Sequence, residues 1–367
     1  MGSPLDASPE LVERMINAAA TAAAEYYREL PAGLVVTPTS AAAVRAQLPR
    51  DLPRAPVRFD HLIQLFNDVI VPNSRHNGHP RFFGYIASPG SAAAAVGELL
   101  SAAMNANVTS WRSSPSATEL EHIVTGWFKQ IVGFPESAQG VLVSGGSMAN
   151  FAALAAARSH LLPQVAAEGI SSDTRLRIYI SKEGHFSIDK AAALLGIGNA
   201  AVVHIPVDNQ LRMRLDILAR QIEADISAGC TPMAIVGNAG STATGAIDPL
   251  HSLADMASHH GIWFHVDAAY GAFAALSHHL RDEFNGIDRA DSVTLDAHKW
   301  LFSSSPRRHR HPPDRARREL RRRPPHPSVL QGPHPRRLLL HPRLGAGEFD
   351  VPGDRARLRP APGDLRP

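Results

Sequence analysis

The chain has 367 residues, enough for two domains of ordinary size and too many for a small disulfide-stapled fold. Apolar residues make up 44% of the chain and aromatic residues only 6%, so we expect a substantial and largely aliphatic core. A single cysteine, Cys230, excludes an internal disulfide framework and a cysteine-only metal site, and it favours a reducing compartment.

The first residues, MGSPLDASPE, are polar and acidic, and they lack the basic and apolar regions of a secretory signal. No apolar run approaches the roughly 20 residues that a membrane helix needs. Even the segment SAAAAVGELLSAAMNANV carries Glu98. We therefore expect a cytoplasmic protein with no membrane partner.

The net charge of +3 conceals two unlike parts. Residues 306–367 contain sixteen arginines, no lysine and six acidic residues, a net charge of +10, whereas the rest of the chain carries −7. The same segment holds thirteen of the 29 prolines and shows no apolar periodicity. It cannot bury enough surface to offset the entropy of ordering the chain, so we expect residues 303–367 to be disordered.

Three interpretations of this basic tail remain open: a solvated tail, an electrostatic anchor for nucleic acid, and a segment translated out of frame. The second is disfavoured because no aromatic residue except Phe349 is available for base stacking, so we do not expect a nucleic-acid partner. A composition rich in Arg, Pro, His, Ala and Gly and without lysine is typical of GC-rich coding DNA translated in the wrong frame. That composition favours a truncation or frameshift after about residue 302.

Two amphipathic helices are predicted in residues 1–75. The first covers 9–30, with Ser8 as its N-cap and Pro9 at its first position. The second begins at Asp60, after a proline-rich connector. Their apolar faces comprise Leu11, Met15, Ala19, Ala22 and Tyr26, and Leu62, Ile63, Phe66, Val69 and Ile70. Because two helices are too little to fold alone, we interpret this segment as an extension that packs on another subunit.

Residues 76–302 alternate between short apolar strands and helices. The strand candidates are GVLVSGG, LRIYIS, AVVHIP, MAIVGNAG, IWFHVDAAYG and SVTLDAHKW. The helical stretches between them are SMANFAALAAARSHLL, IDKAAALLG, LDILARQIEADISAG and PLHSLADMASHH. This alternation predicts an α/β fold, a mainly parallel sheet with helices on both faces. Ligands of such sheets bind at the carboxyl ends of the strands.

The first strand end, VLVSGGSMAN, passes into a helix through Gly145, Gly146 and Ser147. Glycines allow the backbone to approach a ligand, and a helix N-terminus attracts an anion such as phosphate. The motif matches neither a dinucleotide-binding nor a Walker loop. A simple tight turn therefore remains an alternative.

Two further strand ends carry charged groups. Asp267 stands where a buried strand emerges, as a helix cap, a structural ion pair or the partner of a cationic ligand. Lys299 is one of only four lysines, and it lies between an apolar strand and Trp300. Since a lysine without a function is costly in such a setting, Lys299 is a candidate for Schiff-base formation.

An anion cradle, a carboxylate and a lysine together match the needs of pyridoxal 5′-phosphate (PLP). Its phosphate needs N–H donors, its ring nitrogen a carboxylate and its aldehyde an amine. His185, in SKEGHFSIDK, could stack on one face of the ring, although a lone histidine is more often structural. Ala269 is small enough to lie under the other face.

Over residues 8–302 the sequence resembles the PLP-dependent amino-acid decarboxylases of the aromatic-L-amino-acid, glutamate and diaminobutyrate decarboxylase family. The resemblance rests on HPRFFGYIASPGS, NVTSWRSSPSATELE, VLVSGGSMAN, EGHFSIDKA, HVDAAYGA and DAHKW, in the family's order. It implies that Lys299 binds the cofactor as a Schiff base, Asp267 pairs with the pyridine nitrogen and His185 stacks on the ring. The other residues that it implies are Gly146, Ser147 and His298 for the phosphate, Ser241 or Thr242 at the cofactor's edge, and Tyr85 and Ser88 in the substrate pocket.

The resemblance implies decarboxylation of an L-amino acid, of the aromatic type, by a homodimer with the N-terminal helices at its interface. Aldehyde synthases, carbon–carbon lyases, aminotransferases and a non-catalytic PLP-binding remnant remain alternatives, because the same cofactor serves them all. Family members continue past the lysine with a loop that supplies a tyrosine proton donor and with a small C-terminal domain. No tyrosine follows Tyr270 here, and we expect the small domain to be missing and the chain to be unstable or nearly inactive.

Overall fold

The computed structural model describes residues 7–303 and the backbone of residues 338–340. Seven strands form one sheet: β1 (Gln139–Val141), β2 (Leu176–Ser181), β3 (Val202–Ile205), β4 (Thr231–Asn238), β5 (Trp263–Ala268), β6 (Ser292–Leu295) and β7 (Leu338–Leu340). Their order across the sheet is β1-β7-β6-β5-β4-β2-β3. Only β7 runs antiparallel to its neighbours, so the predicted mainly parallel sheet is confirmed.

The helices are α1 (Pro9–Glu29), α2 (Ala41–Gln47), α3 (Phe59–Leu65), α4 (Ala92–Met104), α5 (Pro115–Val132), α6 (Gly146–Leu161), α7 (Val165–Glu168), α8 (Ser187–Leu194), α9 (Leu215–Ser227), α10 (Leu250–His260) and α11 (Ala297–Trp300). Every strand and helix predicted between residues 139 and 302 is present. Within residues 7–303, no helix combines the length and the apolar character that a membrane span requires.

Two hydrophobic cores lie on opposite faces of the sheet, because successive strand residues point to opposite sides. Tyr179 belongs to the core covered by α5, α9 and α10. Its neighbours Ile178 and Ile180 belong to the core covered by α6 and α8. The predicted strands are nearly continuous apolar runs because both of their faces are buried.

The predicted N-terminal helices are present, but most of their apolar faces are not buried. Ser8 caps α1 by accepting a hydrogen bond from the backbone N–H of Leu11 at 3.3 Å, as expected. In the predicted stripe of α1, only Ala22 is buried. In the second helix, which is α3 and a π-helical turn over Phe66–Ile70, no residue is buried. In the single chain, α1 and α3 contact each other. The prediction that this segment packs on another subunit stays a prediction.

The strand β7 lies within the tail for which the sequence predicts no ordered structure. Its backbone pairs Leu338 with Val141 on one side and with Thr294 on the other. Three consecutive leucines are too short a run for a periodicity to be recognised, so this strand was missed. The prediction for the rest of residues 304–367 lies outside the described residues.

A buried carboxylate ties α9 to the sheet. Asp225 accepts hydrogen bonds from Arg177 Nε at 3.0 Å, Tyr179 Oη at 3.1 Å and Gln221 Nε2 at 3.0 Å. Burial alone would raise the pKa of Asp225, but these hydrogen bonds outweigh it and the net effect is a lowered pKa. A lowered pKa in the folded state stabilises the fold above the unfolded-state pKa, and that contribution is lost as the pH falls through the folded-state value.

We predict that Asp225→Ala lowers the free energy of unfolding at pH 7 by about 2–3 kcal/mol, because it leaves Tyr179 and Arg177 without their acceptor. The difference from the unmodified chain should begin to shrink below about pH 4, where this carboxylate is protonated in the unfolded chain, and should be lost below the lowered pKa of Asp225 in the folded state. Urea unfolding at pH 7 and at an acidic pH below that range measures the difference in the free energy of unfolding. Asp216→Asn, an exposed aspartate on the same helix, is the control and should cost under about 1 kcal/mol. Equal losses for both variants would contradict this account.

Candidate active site

The predicted site residues follow strands that end at one edge of the sheet. The strands β1, β2, β4, β5 and β6 share one direction, so the loops that follow them lie at the same edge. The register sets Asp267 of β5 beside Asn238 of β4 and Thr294 of β6. Each of the three strand ends singled out in the sequence contributes to this edge.

The glycine turn after β1 brings the start of α6 against the loop that follows β5. Gly145 adopts φ 144°, which side-chain-bearing residues rarely reach. A Cβ on Gly146 would lie 3.3 Å from Cβ of Ala269 and 4.0 Å from Oδ2 of Asp296. The ends of β1, β5 and β6 therefore converge around the first turn of α6. The N–H groups of such a turn, here those of Gly146 and Ser147, have no acceptor within their helix and can bind an anion.

Asp267 is buried at this edge, with 7% of its surface exposed. Its Oδ2 accepts a hydrogen bond from Asn150 Nδ2 at 2.8 Å, and its Oδ1 accepts one from the backbone N–H of Ala269 at 3.2 Å. Asn150 lies on α6, one helical turn after Gly146. The helix that begins at the anion cradle thus also holds the carboxylate.

A buried histidine stands behind this pair. His265 lies two residues before Asp267, on the same face of β5, and its Nε2 is 3.1 Å from Oδ1 of Asn150. Its Nδ1 is 2.9 Å from Oγ of Ser292. Burial lowers the pKa of His265 to about 4, although Asp267 and the Ser292 backbone act in the opposite direction. At neutral pH its imidazole is therefore uncharged.

His185 follows β2 in a tight loop. A Cβ on Gly184 would overlap the side chain of Ile180, so the loop folds back closely on its own strand. Nδ1 of His185 lies 2.9 Å from Oγ of Ser187, and that hydroxyl also accepts a hydrogen bond from Asn150 Nδ2 at 2.9 Å. Hydrogen bonds therefore connect the predicted stacking residue to Asp267.

The short helix α11 carries Lys299, which is half-buried. Asp296 caps this helix, and its Oδ2 lies 2.9 Å from Nε2 of His298 in a buried pair. The ring of Trp300 packs edge-on against that of Tyr270 with 5.7 Å between centroids. The helix α11 is therefore held beside the loop that follows β5.

The two residues assigned to the substrate pocket lie in different settings. The hydroxyl of Ser88 donates to the backbone carbonyl of His298 at 2.5 Å, so this segment contacts α11. Tyr85 is 79% exposed, and the guanidinium of Arg75 lies 4.1 Å from the centre of its ring. In the single chain, Ser88 lies against α11 and Tyr85 is on the surface.

The loop after β4 supplies the two candidates for the cofactor's edge. Ser241 is buried, and its hydroxyl lies 2.6 Å from that of Thr244. Thr242 is half-buried. Glycines allow this loop to approach the next one, since a Cβ on Gly240 would overlap the backbone of Gly271.

The sequence did not predict Asn150, His265, Ser187 and Asp296 as site residues. Their spacing carried a signal in all four cases: Asn150 is one turn after Gly146, and His265, Ser187 and Asp296 are each two residues from an assigned residue. Polar residues at such positions are common in structures without a ligand, so spacing alone could not select them.

Residues 42–305 match the Pyridoxal-dependent decarboxylase conserved domain. The chain belongs to this family. It is 35% identical over 259 residues to the aromatic-L-amino-acid decarboxylase of Bacillus atrophaeus. The aligned region covers 71% of this chain and 52% of that protein. The chain therefore spans about half the length of this relative.

Solved structures share the fold. Oryza sativa TDC, solved with PLP, matches with a TM-score of 0.77 and 28% identity over 83% of this chain and 66% of that one. Rhodiola rosea 4-hydroxyphenylacetaldehyde synthase matches with a TM-score of 0.76 and 30% identity over 82% of this chain and 65% of that one.

PLP is the cofactor of this family, and the residues at the strand ends fit it. Gly146 leaves open a space that a Cβ would fill, next to the small side chain of Ala269. Asp267 offers a buried carboxylate, and Lys299 offers an amine at the neighbouring strand end. This donor set matches the phosphate, ring nitrogen and aldehyde of the cofactor.

We predict that Gly146→Ala weakens PLP binding about tenfold, because the new methyl group contacts Ala269 and displaces the first turn of α6. Absorbance titration with PLP measures the dissociation constant. Gly126→Ala in α5 is the control, since its Cβ would meet no atom within 4 Å. The control should leave the affinity unchanged and stabilise the helix by up to about 1 kcal/mol. Equal affinities in the two variants would contradict the cradle.

Proposed function

We propose that this site decarboxylates an L-amino acid with an aromatic side chain, with PLP bound through Lys299. The observation that carries the proposal is the convergence of Gly146, Asp267 and the α11 helix around one space. The relationship to an aromatic-L-amino-acid decarboxylase supports the substrate class.

When bound, PLP accepts the electron pair that the departing carboxylate leaves on the α-carbon. Asp267 keeps a proton on the pyridine nitrogen and so maintains the ring as an electron acceptor. A pair of unit charges in contact near a protein surface is worth about 4 kcal/mol, or roughly three orders of magnitude in rate when it acts only in the transition state. Asn150 and the Ala269 N–H orient the carboxylate for this task.

The other residues bind and orient. Lys299 would supply the amine that holds the cofactor's aldehyde. His185 covers one face of the ring, and Ala269 leaves room at the other. The N–H groups of Gly146 and Ser147 bind the phosphate, with His298 held nearby by Asp296. Ser241 and Thr242 line the cofactor's edge, and Ser88 keeps α11 in position.

Aldehyde formation is the second candidate function, because a 4-hydroxyphenylacetaldehyde synthase is among the structures that share this fold. The two reactions use the same cofactor and differ in the product. Carbon–carbon lyases and aminotransferases differ in the same way, and a PLP-binding remnant would form no product.

We predict that the chain, loaded with PLP, converts L-tryptophan or L-tyrosine to carbon dioxide and an equal amount of the aryl amine. L-glutamate and L-2,4-diaminobutyrate should give no product. Because the sequence predicts slow turnover, the protein is used in excess and products are measured by mass spectrometry. Lys299→Ala should abolish both the product and the visible absorbance of the bound cofactor. Lys182→Ala, an exposed lysine after β2, is the matched control and should retain both.

If an aldehyde or a keto acid is the main product, the proposed decarboxylase activity would be replaced by the corresponding alternative activity. Cofactor absorbance without any product would indicate a binding remnant. Unchanged absorbance in Lys299→Ala would contradict the assignment of the amine.

We also propose that the chain forms a homodimer. The apolar helix α4 buries none of its residues in the single chain: Leu100 is 61% exposed and Met104 is 69% exposed. Trp127 of α5 is exposed as well. A second copy of the chain would cover these side chains together with the apolar faces of α1 and α3, and exposed apolar surface of this extent is typical of an interface.

We predict that Val96→Asp with Leu100→Asp converts the dimer to monomers, because two carboxylates would be buried without partners. Sedimentation velocity measures the oligomeric state. Ile226→Asp is the control, an exposed apolar residue on α9, and it should leave the dimer intact. A monomeric unmodified chain would contradict the proposal.

The chemistry of Cys230 supports the cytoplasm as the compartment. This residue is the chain's single cysteine, and it is a buried free thiol. A protein without disulfides suits a reducing compartment.

A further inference from the structure

We propose that Asn150 and His265 are positioning residues that orient the Asp267 carboxylate and set which nitrogen of His185 carries the proton. They do so through one directional chain of hydrogen bonds that begins at Trp263 and divides at Asn150. The consequence for catalysis rests on the proposed function, whereas the proton positions belong to the protein alone.

The amide of Asn150 has a single orientation that satisfies its neighbours. Its nitrogen lies 2.8 Å from Oδ2 of Asp267 and 2.9 Å from Oγ of Ser187, so both N–H bonds donate. The reversed orientation would set the amide oxygen against the carboxylate, two acceptors in contact in a buried site. Such an arrangement costs the desolvation of both groups with no compensating bond.

This orientation determines the proton position on His265. The amide oxygen of Asn150 can only accept, so Nε2 of His265, at 3.1 Å, must carry the hydrogen. Nδ1 then accepts from the Ser292 hydroxyl at 2.9 Å. The backbone carbonyl of Ser292 lies 3.2 Å from the same Nδ1, and it would bind a proton there. That alternative would place the Nε2 lone pair against the amide oxygen of Asn150.

The series of hydrogen bonds begins at the indole N–H of Trp263. An indole N–H can only donate, and Nε1 of Trp263 lies 2.9 Å from the Ser292 hydroxyl. That hydroxyl therefore accepts from Trp263 and directs its own hydrogen at His265. Every member of this arm is buried, so solvent does not compete for the bonds.

The second arm reaches the residue assigned to the ring face. Because Ser187 accepts from Asn150, its hydroxyl hydrogen is available for Nδ1 of His185 at 2.9 Å. The backbone N–H of Ser187 also points at this nitrogen, at 3.3 Å. Two donors directed at Nδ1 identify it as the acceptor, so Nε2 of His185 carries the hydrogen in the neutral ring.

The experiment measures histidine proton positions by ¹⁵N NMR in the full chain without cofactor, with ¹⁵N-histidine labelling. The signals are assigned through His185→Gln and His265→Gln. We expect His265 to be neutral at pH 7, and the neutral form of each ring to carry its hydrogen on Nε2. A hydrogen on Nδ1 of His265, or on Nδ1 of His185, would overturn the proposal whether or not the protein is active.

Two variants separate the arms. Ser187→Ala should convert His185 to a mixture of proton positions and leave His265 unchanged. Asn150→Leu should change both rings and raise the dissociation constant for PLP about 10- to 100-fold, the range for losing a hydrogen bond to a charged group. The control is Gln221→Leu on α9, which removes another amide bonded to a buried carboxylate, Asp225, at 3.0 Å. It should leave both histidines unchanged and alter PLP affinity less than about twofold.

The outcomes distinguish this inference from the proposed function. If the histidines carry their protons as predicted but no amine product forms, the proposed function is rejected and the positioning network is retained. An active enzyme whose Asn150→Leu and Gln221→Leu variants bind PLP equally well would remove the positioning role. If Asn150→Leu does not fold, the proton positions in the unmodified chain still decide the matter.

Discussion

The burial of one carboxylate, that of Asp267, governs the arrangement of this edge of the sheet. Removing an ionised carboxylate from water costs several kcal/mol unless donors replace the lost hydration. Asn150 and the Ala269 N–H supply two donors, and in the proposed function a protonated pyridine nitrogen would supply the counter-charge. On that proposal the site is built around a charge whose partner arrives with the ligand, which would explain why a carboxylate is retained at a buried strand end.

The position of α6 follows from this requirement. For Asn150 to reach Asp267, the helix must begin close to the end of β5, and the approach of Gly146 to Ala269 permits this. A side chain at Gly146, or a larger one at Ala269, would move the helix away and lengthen the Asn150–Asp267 hydrogen bond together with the distance to the phosphate site. The anion cradle and the carboxylate are thus coupled through one rigid helix, so the pocket's two charged ends keep a constant separation.

The sheet, its strand ends and the residues on them could be predicted from the sequence because β-strands buried on both faces leave a clear apolar signal. Asp267 and Lys299 were recognisable because a charge next to such a run is unusual. Asn150 and His265 were not, since an amide or a histidine carries no comparable cost and their function depends on which faces of α6 and β5 meet. The setting of Tyr85 escaped prediction for another reason: what covers it is set by surfaces beyond its own sequence pattern.

The neutral state of His265 has a physical consequence for the cofactor. A cationic imidazole behind Asn150 would stabilise Asp267 by itself and reduce the gain from protonating the pyridine nitrogen, because two cations would share one carboxylate. Complete burial lowers the pKa of His265 to about 4 and prevents this competition at neutral pH. The histidine then acts only through hydrogen bonds of fixed direction, accepting from Ser292 at Nδ1 and donating to Asn150 from Nε2. The carboxylate's charge is thereby reserved for the ligand, while its orientation is set by a neutral network that does not draw on that charge.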